Sequence, residues 1–170
     1  MSDLDRRFHR LLDAHADVAW RIAGAYARLH ADREDLYQDI LLHAWRALPA
    51  FRGDASERTW LTRVALNVAL GTVHKREHRA TVDAPAALDR AEGSFPDPSA
   101  SADQSDASGR LYAALRRLPE IDRALVLLVL EERSHAEIAD VLGLSTGNVA
   151  VRLHRAKARL ASLLSDPIPS

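Results

Sequence analysis

A row of basic and amide side chains near the C-terminal end of the sequence has the donors and the spacing to contact DNA. Its members recur at intervals of three or four residues, which places them on one face if the segment is helical. They are Asn148, Arg152, Arg155 and Arg159. Guanidinium and amide groups donate hydrogen bonds to phosphates and to base edges in the major groove. A solvated charged face has the same pattern, so this row alone does not establish DNA binding.

The residues around this row predict a helix-turn-helix. Ser134 and Glu137 have the spacing of a capping box, which predicts a helix over residues 135–142. Gly143 suits the left-handed conformation that ends a helix, and Ser145 suits the cap of the next one. An apolar stripe runs through that second helix: Val149, Leu153, Ala156, Leu160 and Leu163. Such a pair of helices with a basic outer face is typical of duplex readers, with an ordinary helical hairpin as the alternative.

A second group of residues has the chemistry to hold unpaired bases. Trp60 stands beside Thr59, Arg63 and Asn67 on a helix predicted over residues 57–79. An aromatic ring next to polar and basic groups can stack on a base, because every base offers a π-face. Packing of Trp60 in the core is the alternative, and spacing alone favours it.

One motif resembles a metal site. His74, Glu77 and His78 match H-x-x-E-H, a pattern of one class of zinc peptidases. Because the neighbouring Lys75 and Arg76 would repel a dication, we assign no metal to this motif. The sequence contains no nucleophile triad, no glycine-rich phosphate loop and no paired-carboxylate motif. We therefore expect no cofactor and no catalytic activity.

Composition and charge predict a cytoplasmic protein of two domains. The sequence has no cysteine, no apolar signal core at its N-terminus and no apolar run long enough to cross a membrane. Its net charge is −1, but residues 81–109 hold one arginine against six acids and are rich in Pro, Ser and Ala. Such a composition buries too little apolar surface to fold. We predict an all-α protein in which a flexible acidic linker, 81–109, joins two small helical domains, 1–80 and 110–170.

The N-terminal domain is predicted to hold two helices ahead of the one that carries Trp60. Apolar spacing over residues 4–30 indicates one amphipathic helix or a broken pair, loosened at Gly24. Asp32 is the expected N-cap of the next helix, which should end at Leu48 and Pro49. The outer stripe of that helix is Asp35, Gln38, Asp39, Leu42 and Arg46. An exposed leucine among acids and amides suggests a protein-binding face, with a solvated face as the alternative.

Two further helices are predicted ahead of the helix-turn-helix. One spans residues 110–118, and Pro119 is placed at the first position of the other, which spans 120–132. Residues 124–130 are apolar without interruption, so this second helix should form the core of the C-terminal domain.

Two longer blocks resemble a known family. The first, DREDLYQDILLHAWRALPAFRGDASERTWLTRVALNVAL, is similar to region 2 of bacterial sigma factors. The second, ALRRLPEIDRALVLLVLEERSHAEIADVLGLSTGNVAVRLHRAKARL, is similar to region 4. Two such regions separated only by a linker resemble the extracytoplasmic-function (group 4) sigma factors. The alternative is a stand-alone helix-turn-helix regulator with an N-terminal sensing domain.

The resemblance implies partners and site residues. The implied partners are core RNA polymerase (its β′ clamp helices and β flap), promoter DNA and an anti-sigma factor. Docking on the clamp helices would use Asp35, Gln38, Asp39 and Leu42. The −10 element would be recognised and melted by Phe51, Arg52, Ser56, Thr59, Trp60, Arg63, Asn67, Lys75 and Arg76. The −35 element would be read by Ser145, Thr146, Asn148, Arg152, Arg155 and Arg159.

One position departs from the family pattern. Ala150 stands where sigma factors often have a basic or polar residue. The resemblance therefore leaves open which side chains of the second helix read −35 bases.

Overall fold

The part of the chain that the computed structural model describes is entirely helical. It comprises the backbone of residues 2–82 and 102–165 and the side chains of residues 2–75 and 107–165. The helices are α1 Asp3–Tyr26, α2 His30–Ala47, α3 Glu57–Val82, α4 Ala102–Arg116, α5 Glu120–Leu130, α6 His135–Leu142 and α7 Thr146–Ser165, with a 3-10 turn at Leu48–Ala50. The chain separates into two compact units, Met1–Gly93 and Ser94–Ser170. The predicted all-α fold is confirmed.

The first unit is a bundle of α1, α2 and α3. Each helix contributes fully buried aliphatic side chains to one shared core, among them Leu11 and Ile22 of α1, Ile40 of α2, and Leu61 and Leu66 of α3. Burial of a side chain of this size contributes about 1.5–3 kcal/mol, so this core fixes which face of each helix remains in solvent.

A buried arginine joins α1 to α2. Arg33 is 2% exposed, and its Nε and Nη2 atoms donate to the carbonyl of Trp20 at 3.3 and 3.1 Å. Its guanidinium carbon lies 4.0 Å from the centroid of the Trp20 ring. Gly24 leaves room for this group, because a Cβ there would lie 2.8 Å from Cζ of Arg33. Gly24 therefore admits the arginine and does not break α1, which continues to Tyr26.

Two predicted helix limits in this unit are wrong. The first helix ends at Tyr26 and does not reach residue 30. The second begins at His30 with Leu29 at the N-cap position, so the expected cap by Asp32 is not formed. Asp32 lies instead in the first turn, where a carboxylate interacts favourably with the positive end of the helix dipole. The predicted end near Pro49 is confirmed, because Pro49 falls in the 3-10 turn that follows α2.

The second unit packs α4, α6 and α7 against α5. The core runs through Leu115 of α4, Leu125 and Leu128 of α5, Ile138 of α6 and Val149 of α7, all fully buried. The apolar run 124–130 accordingly provides the central helix of the unit, as predicted. Leu130 at its end is exposed.

A second buried arginine closes the end of α4. Arg123, 8% exposed, donates from Nε to the carbonyl of Leu115 at 2.9 Å. Its Nη2 donates to the carbonyls of Arg116 and Leu118 at 2.8 and 3.1 Å. The last carbonyls of a helix have no hydrogen-bond donor within the helix. The Arg123 guanidinium of α5 provides these donors.

Four predicted boundaries in the C-terminal half also differ, one of them the end of α4, which lies at Arg116 and not at residue 118. Helix α4 begins at Ala102, inside the segment predicted to be linker up to residue 109. Composition argued against a core there, and only two of residues 102–109 are alanine among Asp, Ser and Gly, so helix propensity does not account for the earlier start. Pro119 is the N-cap of α5 and not its first residue. That helix ends at Leu130, two residues early, and Glu132 takes a positive φ of 58°.

The helix-turn-helix has the predicted capping. The Ser134 hydroxyl accepts from the Glu137 amide at 3.2 Å, and the Glu137 carboxylate accepts from the Ser134 amide at 2.8 Å. Gly143 ends α6 with φ 65° and ψ 35°, the left-handed region. The Ser145 hydroxyl accepts from the Asn148 amide at 3.2 Å, so Ser145 caps α7. The turn between α6 and α7 is therefore fixed at both helix ends.

None of the helices in the described ranges has the length and apolar character to span a membrane.

Candidate nucleic-acid interface

Helix α7 presents a surface that carries only positive charge. Its buried side, Val149, Leu153 and Ala156, faces the core of the second unit. Most of the predicted −35 residues lie in solvent on the remaining surface: Ser145, Thr146, Asn148, Arg155 and Arg159. Over Thr146–Ser165 the helix contains no aspartate or glutamate. A helix with this charge attracts phosphates, and its length suits the major groove.

Arg152 has a different environment from the other predicted −35 residues. Its Nε and Nη2 atoms donate to Oδ1 of Asp122 on α5 at 3.0 and 2.8 Å. The Arg152 side chain is about one-third exposed and that of Asp122 less. The structure therefore gives Arg152 an intramolecular partner and joins α7 to α5 through it. The assignment of Arg152 to −35 recognition stays a prediction, and its pairing was not foreseen because spacing along α7 does not reveal a carboxylate thirty residues away.

Sequence reasoning missed the residues that lie opposite the buried side of α7. Gly147, Val151 and His154 are all exposed, and Val151 is 52% exposed. Their position could have been found from the apolar stripe, since the face opposite that stripe is the one that a groove would meet. Gly147 and Val151 have no side-chain donor, so the pattern of donors along the helix does not single them out.

In the first unit, two aromatic rings form a stack at the beginning of α3. The rings of Phe51 and Trp60 lie 5.0 Å apart between centroids with an angle of 27° between their planes. Trp60 is half-buried, so it is neither a core side chain nor a fully open one. Both rings are half-buried, and stacked rings that keep part of their surface in solvent provide an apolar platform on which a base can lie.

Arg7 of α1 holds Phe51 in this stack. Its guanidinium carbon lies 5.4 Å from the centroid of the Phe51 ring, and its Nη2 donates to the Phe51 carbonyl at 3.3 Å. No local sequence signal links the two residues, which are 44 positions apart. Arg7 is therefore a member of the candidate site that sequence reasoning missed.

Ser56 and Thr59 form the cap of α3. The Ser56 hydroxyl accepts from the Thr59 amide at 3.1 Å and lies 2.8 Å from the Thr59 hydroxyl. Ser56 is exposed, but Thr59 is only 6% exposed. The structure thus places Thr59 within the cap, where a DNA strand would not reach it without a local opening, and leaves Ser56 at the surface.

The other predicted −10 residues are distributed along the loop and α3. Arg52, Asn67 and Lys75 are exposed, and Arg63 is half-buried. The side chain of Arg76 lies outside the described residues, as do the side chains of two members of the H-x-x-E-H motif. Among the side chains that are described, no three His, Cys, Asp or Glu residues come together to hold a metal ion.

Helix α2 exposes the predicted polymerase-binding residues together. Asp35, Gln38, Asp39 and Leu42 are all exposed, at helical spacing. The opposite side of the helix, Leu36, Ile40 and Ala44, is buried in the bundle. The structure therefore brings these four residues onto one solvent face that combines two carboxylates, an amide and an aliphatic group.

Capping lowers the pKa of one carboxyl group in the helix-turn-helix. Glu137 accepts from the backbone amide and from the hydroxyl of Ser134, and Arg133 lies nearby. These hydrogen bonds, the one from the Ser134 amide above all, hold the pKa of Glu137 below its ordinary value. The charged form of the carboxylate is therefore the one that caps α6.

The fold and these surfaces define a class of protein: an all-α, two-unit protein whose helix-turn-helix presents an acid-free helix, the architecture of DNA-binding transcription proteins. The family Sigma-70 region 2 matches residues 11–79, and Sigma-70, region 4 matches residues 108–160. The ECF RNA polymerase sigma factor SigM of Mycobacterium tuberculosis is 36% identical over 158 residues, covering 92% of this chain and 76% of SigM. The chain belongs to the sigma-70 family, as an extracytoplasmic-function RNA polymerase sigma factor.

Other relatives and solved structures agree in fold. SigG of Mycobacterium tuberculosis is 36% identical over 179 residues, and this chain spans 46% of its length. The structure of CnrH in complex with the cytosolic domain of CnrY has a TM-score of 0.65 at 28% identity, covering 94% of this chain and 88% of that one. The sigma factor RpoE of Bartonella quintana, in complex with the anti-sigma factor NepR, has a TM-score of 0.74 at 24% identity, covering 98% and 100%. The sigma-70 family is not a class of enzymes.

Proposed function

We propose that the protein binds core RNA polymerase and directs initiation at promoters by recognising their −10 and −35 elements. The observation that carries this function is the presence of sigma regions 2 and 4 in one chain. Each region coincides with a surface of suitable chemistry, the Phe51–Trp60 platform in the first and the acid-free α7 in the second. A stand-alone regulator is not favoured, because its N-terminal domain would have no need of region 2.

Polymerase binding belongs to residues 1–80 in this proposal, through the exposed face of α2. The β′ clamp helices would meet Asp35, Gln38, Asp39 and Leu42. The opposite side of α2 is buried in the bundle core, which supports a rigid docking face. A rigid face loses little conformational entropy when it binds, so most of the contact energy is retained. The β flap would bind the second unit.

The same domain would hold the melted −10 strand on the Phe51–Trp60 platform. Unpairing a base costs a few kcal/mol, so melting needs contacts that form only with the single strand. Stacking on an aromatic side chain contributes about 1–3 kcal/mol per base. Arg52 in the loop before α3 and Asn67 and Lys75 on α3 are exposed and would bind the backbone of that strand.

The −35 element would be read by α7 within residues 110–170. The first turn of the helix offers exposed Ser145, Thr146 and Asn148, and Arg155 and Arg159 follow on the exposed surface. Recognition helices place their N-terminal residues against base edges in the major groove, with cations nearby on phosphates. The tight turn and the two serine caps support a fixed entry angle.

Transcription from purified components tests the proposed function. The protein and core polymerase should together initiate from promoters selected out of a random library. Asp39→Ala should weaken binding of the protein to core polymerase at least several-fold. Asp13→Ala, which removes an exposed aspartate from α1 instead, should leave that binding unchanged. Transcription at background level, or tight duplex binding that needs no polymerase, would contradict the proposal.

We propose that an anti-sigma factor regulates the protein. We also propose that the protein binds this partner and polymerase in the cytoplasm. CnrH, 28% identical to this chain, forms a complex with the cytosolic domain of CnrY, which supports this partner. The test is affinity purification of the protein from its own cells. A small protein recovered in equal amounts should suppress transcription when it is added to the purified system. Recovery of polymerase subunits with no such inhibitor would contradict this part of the proposal.

A further inference from the structure

We propose that Val151 is a specificity-determining residue of this sigma factor and contacts the methyl group of a thymine in the −35 element. The inference rests on the proposed reading of −35 DNA by α7. It adds to that reading an apolar contact, which neither the resemblance nor the row of donors on α7 assigns to any residue.

Val151 occupies the middle of the surface that would enter the groove. The buried residues Val149 and Leu153 flank it in sequence, so its own side chain is directed away from the core, and it is 52% exposed. Asn148 lies three residues before it and Arg155 four residues after it, and both are exposed. Residues at these intervals are neighbours on a helix surface. An apolar group thus lies between two hydrogen-bond donors.

The surroundings of Val151 match the chemistry of the major groove. The helix carries no acid along its length, and small residues, Gly147 and Ala150, lie exposed beside the valine. Small neighbours let the helix backbone approach closely, so that a short side chain such as valine can reach a base. The apolar group that DNA presents in the major groove is the C5 methyl of thymine, which distinguishes thymine from cytosine.

The ion pair of Arg152 with Asp122 supports the assignment of base contact to Val151, because it keeps the Arg152 side chain away from the valine. The pair that Arg152 forms with Asp122 holds its guanidinium to α5 at 2.8 Å. The Arg152 side chain therefore points toward α5 and does not cover Val151. Direct readout then falls to Asn148 and Val151, a combination of a polar and a methyl contact.

The experiment removes methyl groups from the Val151 side chain in the protein and the C5 methyl group from single thymines in the DNA. Polymerase containing the full-length sigma factor is first used to select a −35 element. Each thymine of that element is then replaced by uracil, which lacks the methyl group. At one thymine, uracil should weaken wild-type binding about three- to tenfold, the contribution expected of one buried methyl group. Val151→Ala should bind the thymine promoter correspondingly more weakly and should not distinguish thymine from uracil.

A matched variant controls for general effects on the helix. Leu164→Ala truncates another exposed aliphatic residue of α7, near its far end, and should retain the discrimination between thymine and uracil. Since Val151 is exposed, its truncation should leave the unfolding transition of the protein unchanged.

The outcomes separate this inference from the proposed function. If polymerase initiates normally but Val151→Ala discriminates against uracil as strongly as the wild type, the inference is wrong and the proposed function stands. The inference is also wrong if no uracil substitution weakens binding, or if Val151→Ala weakens binding to core polymerase without DNA. If no promoter supports initiation at all, the proposed function fails first.

Discussion

At the scale of single residues, the pair between Arg152 and Asp122 changes what a mutation in the recognition helix should do. The pair bridges α7 and α5 and is partly exposed, so solvent screens it. We expect a coupling energy of about 0.5–1 kcal/mol in a double-mutant cycle of Arg152→Ala and Asp122→Ala, measured by urea unfolding. In DNA binding, Arg152→Ala should weaken all −35 sequences alike. Relaxed preference at one base position would instead make Arg152 a base contact.

The Phe51–Trp60 stack predicts a separation between polymerase binding and promoter opening. Trp60→Ala should reduce the reactivity of unpaired −10 thymines toward permanganate about fivefold or more, because it removes a stacking surface worth about 1–3 kcal/mol. Its affinity for core polymerase should stay within about twofold of the wild type. Arg7→Ala should produce a smaller defect in the same assay, since Phe51 remains but loses its hydrogen bond. Equal loss of polymerase binding and opening would favour a packing role for Trp60.

The cap of α6 predicts a dependence of stability on pH. The hydrogen bonds from Ser134 lower the pKa of Glu137 in the folded protein. A carboxyl group of lowered pKa stabilises the fold above its unfolded-state pKa, and this stabilisation is lost as the pH falls through the folded-state pKa. Glu137→Gln keeps a capping amide but has no charge to lose. The wild type should unfold at a higher temperature than Glu137→Gln at neutral pH. The difference between the two midpoint temperatures should shrink between about pH 6 and about pH 3. A difference that stays constant with pH would contradict this explanation.

At the scale of helices, two glycines in the first unit should respond oppositely to the same substitution. Gly24→Ala would place a Cβ 2.8 Å from the Arg33 guanidinium, which is buried and hydrogen-bonded to Trp20 and cannot move without losing those bonds. We expect a loss of about 1–3 kcal/mol in the free energy of unfolding. A Cβ added at Gly71 of α3 would meet no described neighbour within 4 Å, so Gly71→Ala should gain about 0.5–1 kcal/mol. Urea unfolding of both variants measures the contrast, and a gain in both would mean that Arg33 does not fill the space beside Gly24.

The contacts that could be predicted from the sequence and those that could not differ in how far apart the interacting residues lie along the chain. The Ser134–Glu137 box and the Ser145 cap join residues three apart, so their spacing can be read directly from the sequence. Arg33 and Arg152 contact groups 13 and 30 positions away. Those contacts exist only after packing has chosen how helices face one another. Helix types, the two domains and most of the basic face were therefore predictable, whereas the arginines that join helices were not.

The candidate site shows the same division. Exposure of Asp35, Gln38 and Asp39 follows from helical periodicity and was predictable. The burial of Thr59 was not, because it is set by how α3 packs in the bundle and not by the spacing of Thr59 from Ser56. Val151 was overlooked for a chemical reason: a search limited to donors and charges has no means to select an aliphatic side chain.

At the scale of the whole molecule, a net charge of −1 does not describe how the protein meets DNA. Charges that contact phosphates release counterions, and each such contact contributes about 0.9 to the slope of log affinity against log salt. Arg155→Ala and Arg159→Ala together should lower that slope by about 1–2 if both contact phosphates. Arg28→Ala changes net charge by one as well but removes an exposed residue from the α1–α2 connection, and should leave the slope unchanged. Equal effects of all three substitutions on promoter affinity would mean that total charge governs binding.

The ion pair by which Arg152 joins α7 to α5 has a consequence for the evolution of this protein. Exposed positions away from caps and buried groups usually change the free energy of unfolding by no more than about 0.5 kcal/mol when substituted. Ala150, Val151 and His154 are such positions, while the orientation of the helix depends on other residues, among them Arg152 and Asp122. After gene duplication, copies of this protein can therefore acquire new promoter preferences one substitution at a time and remain folded throughout.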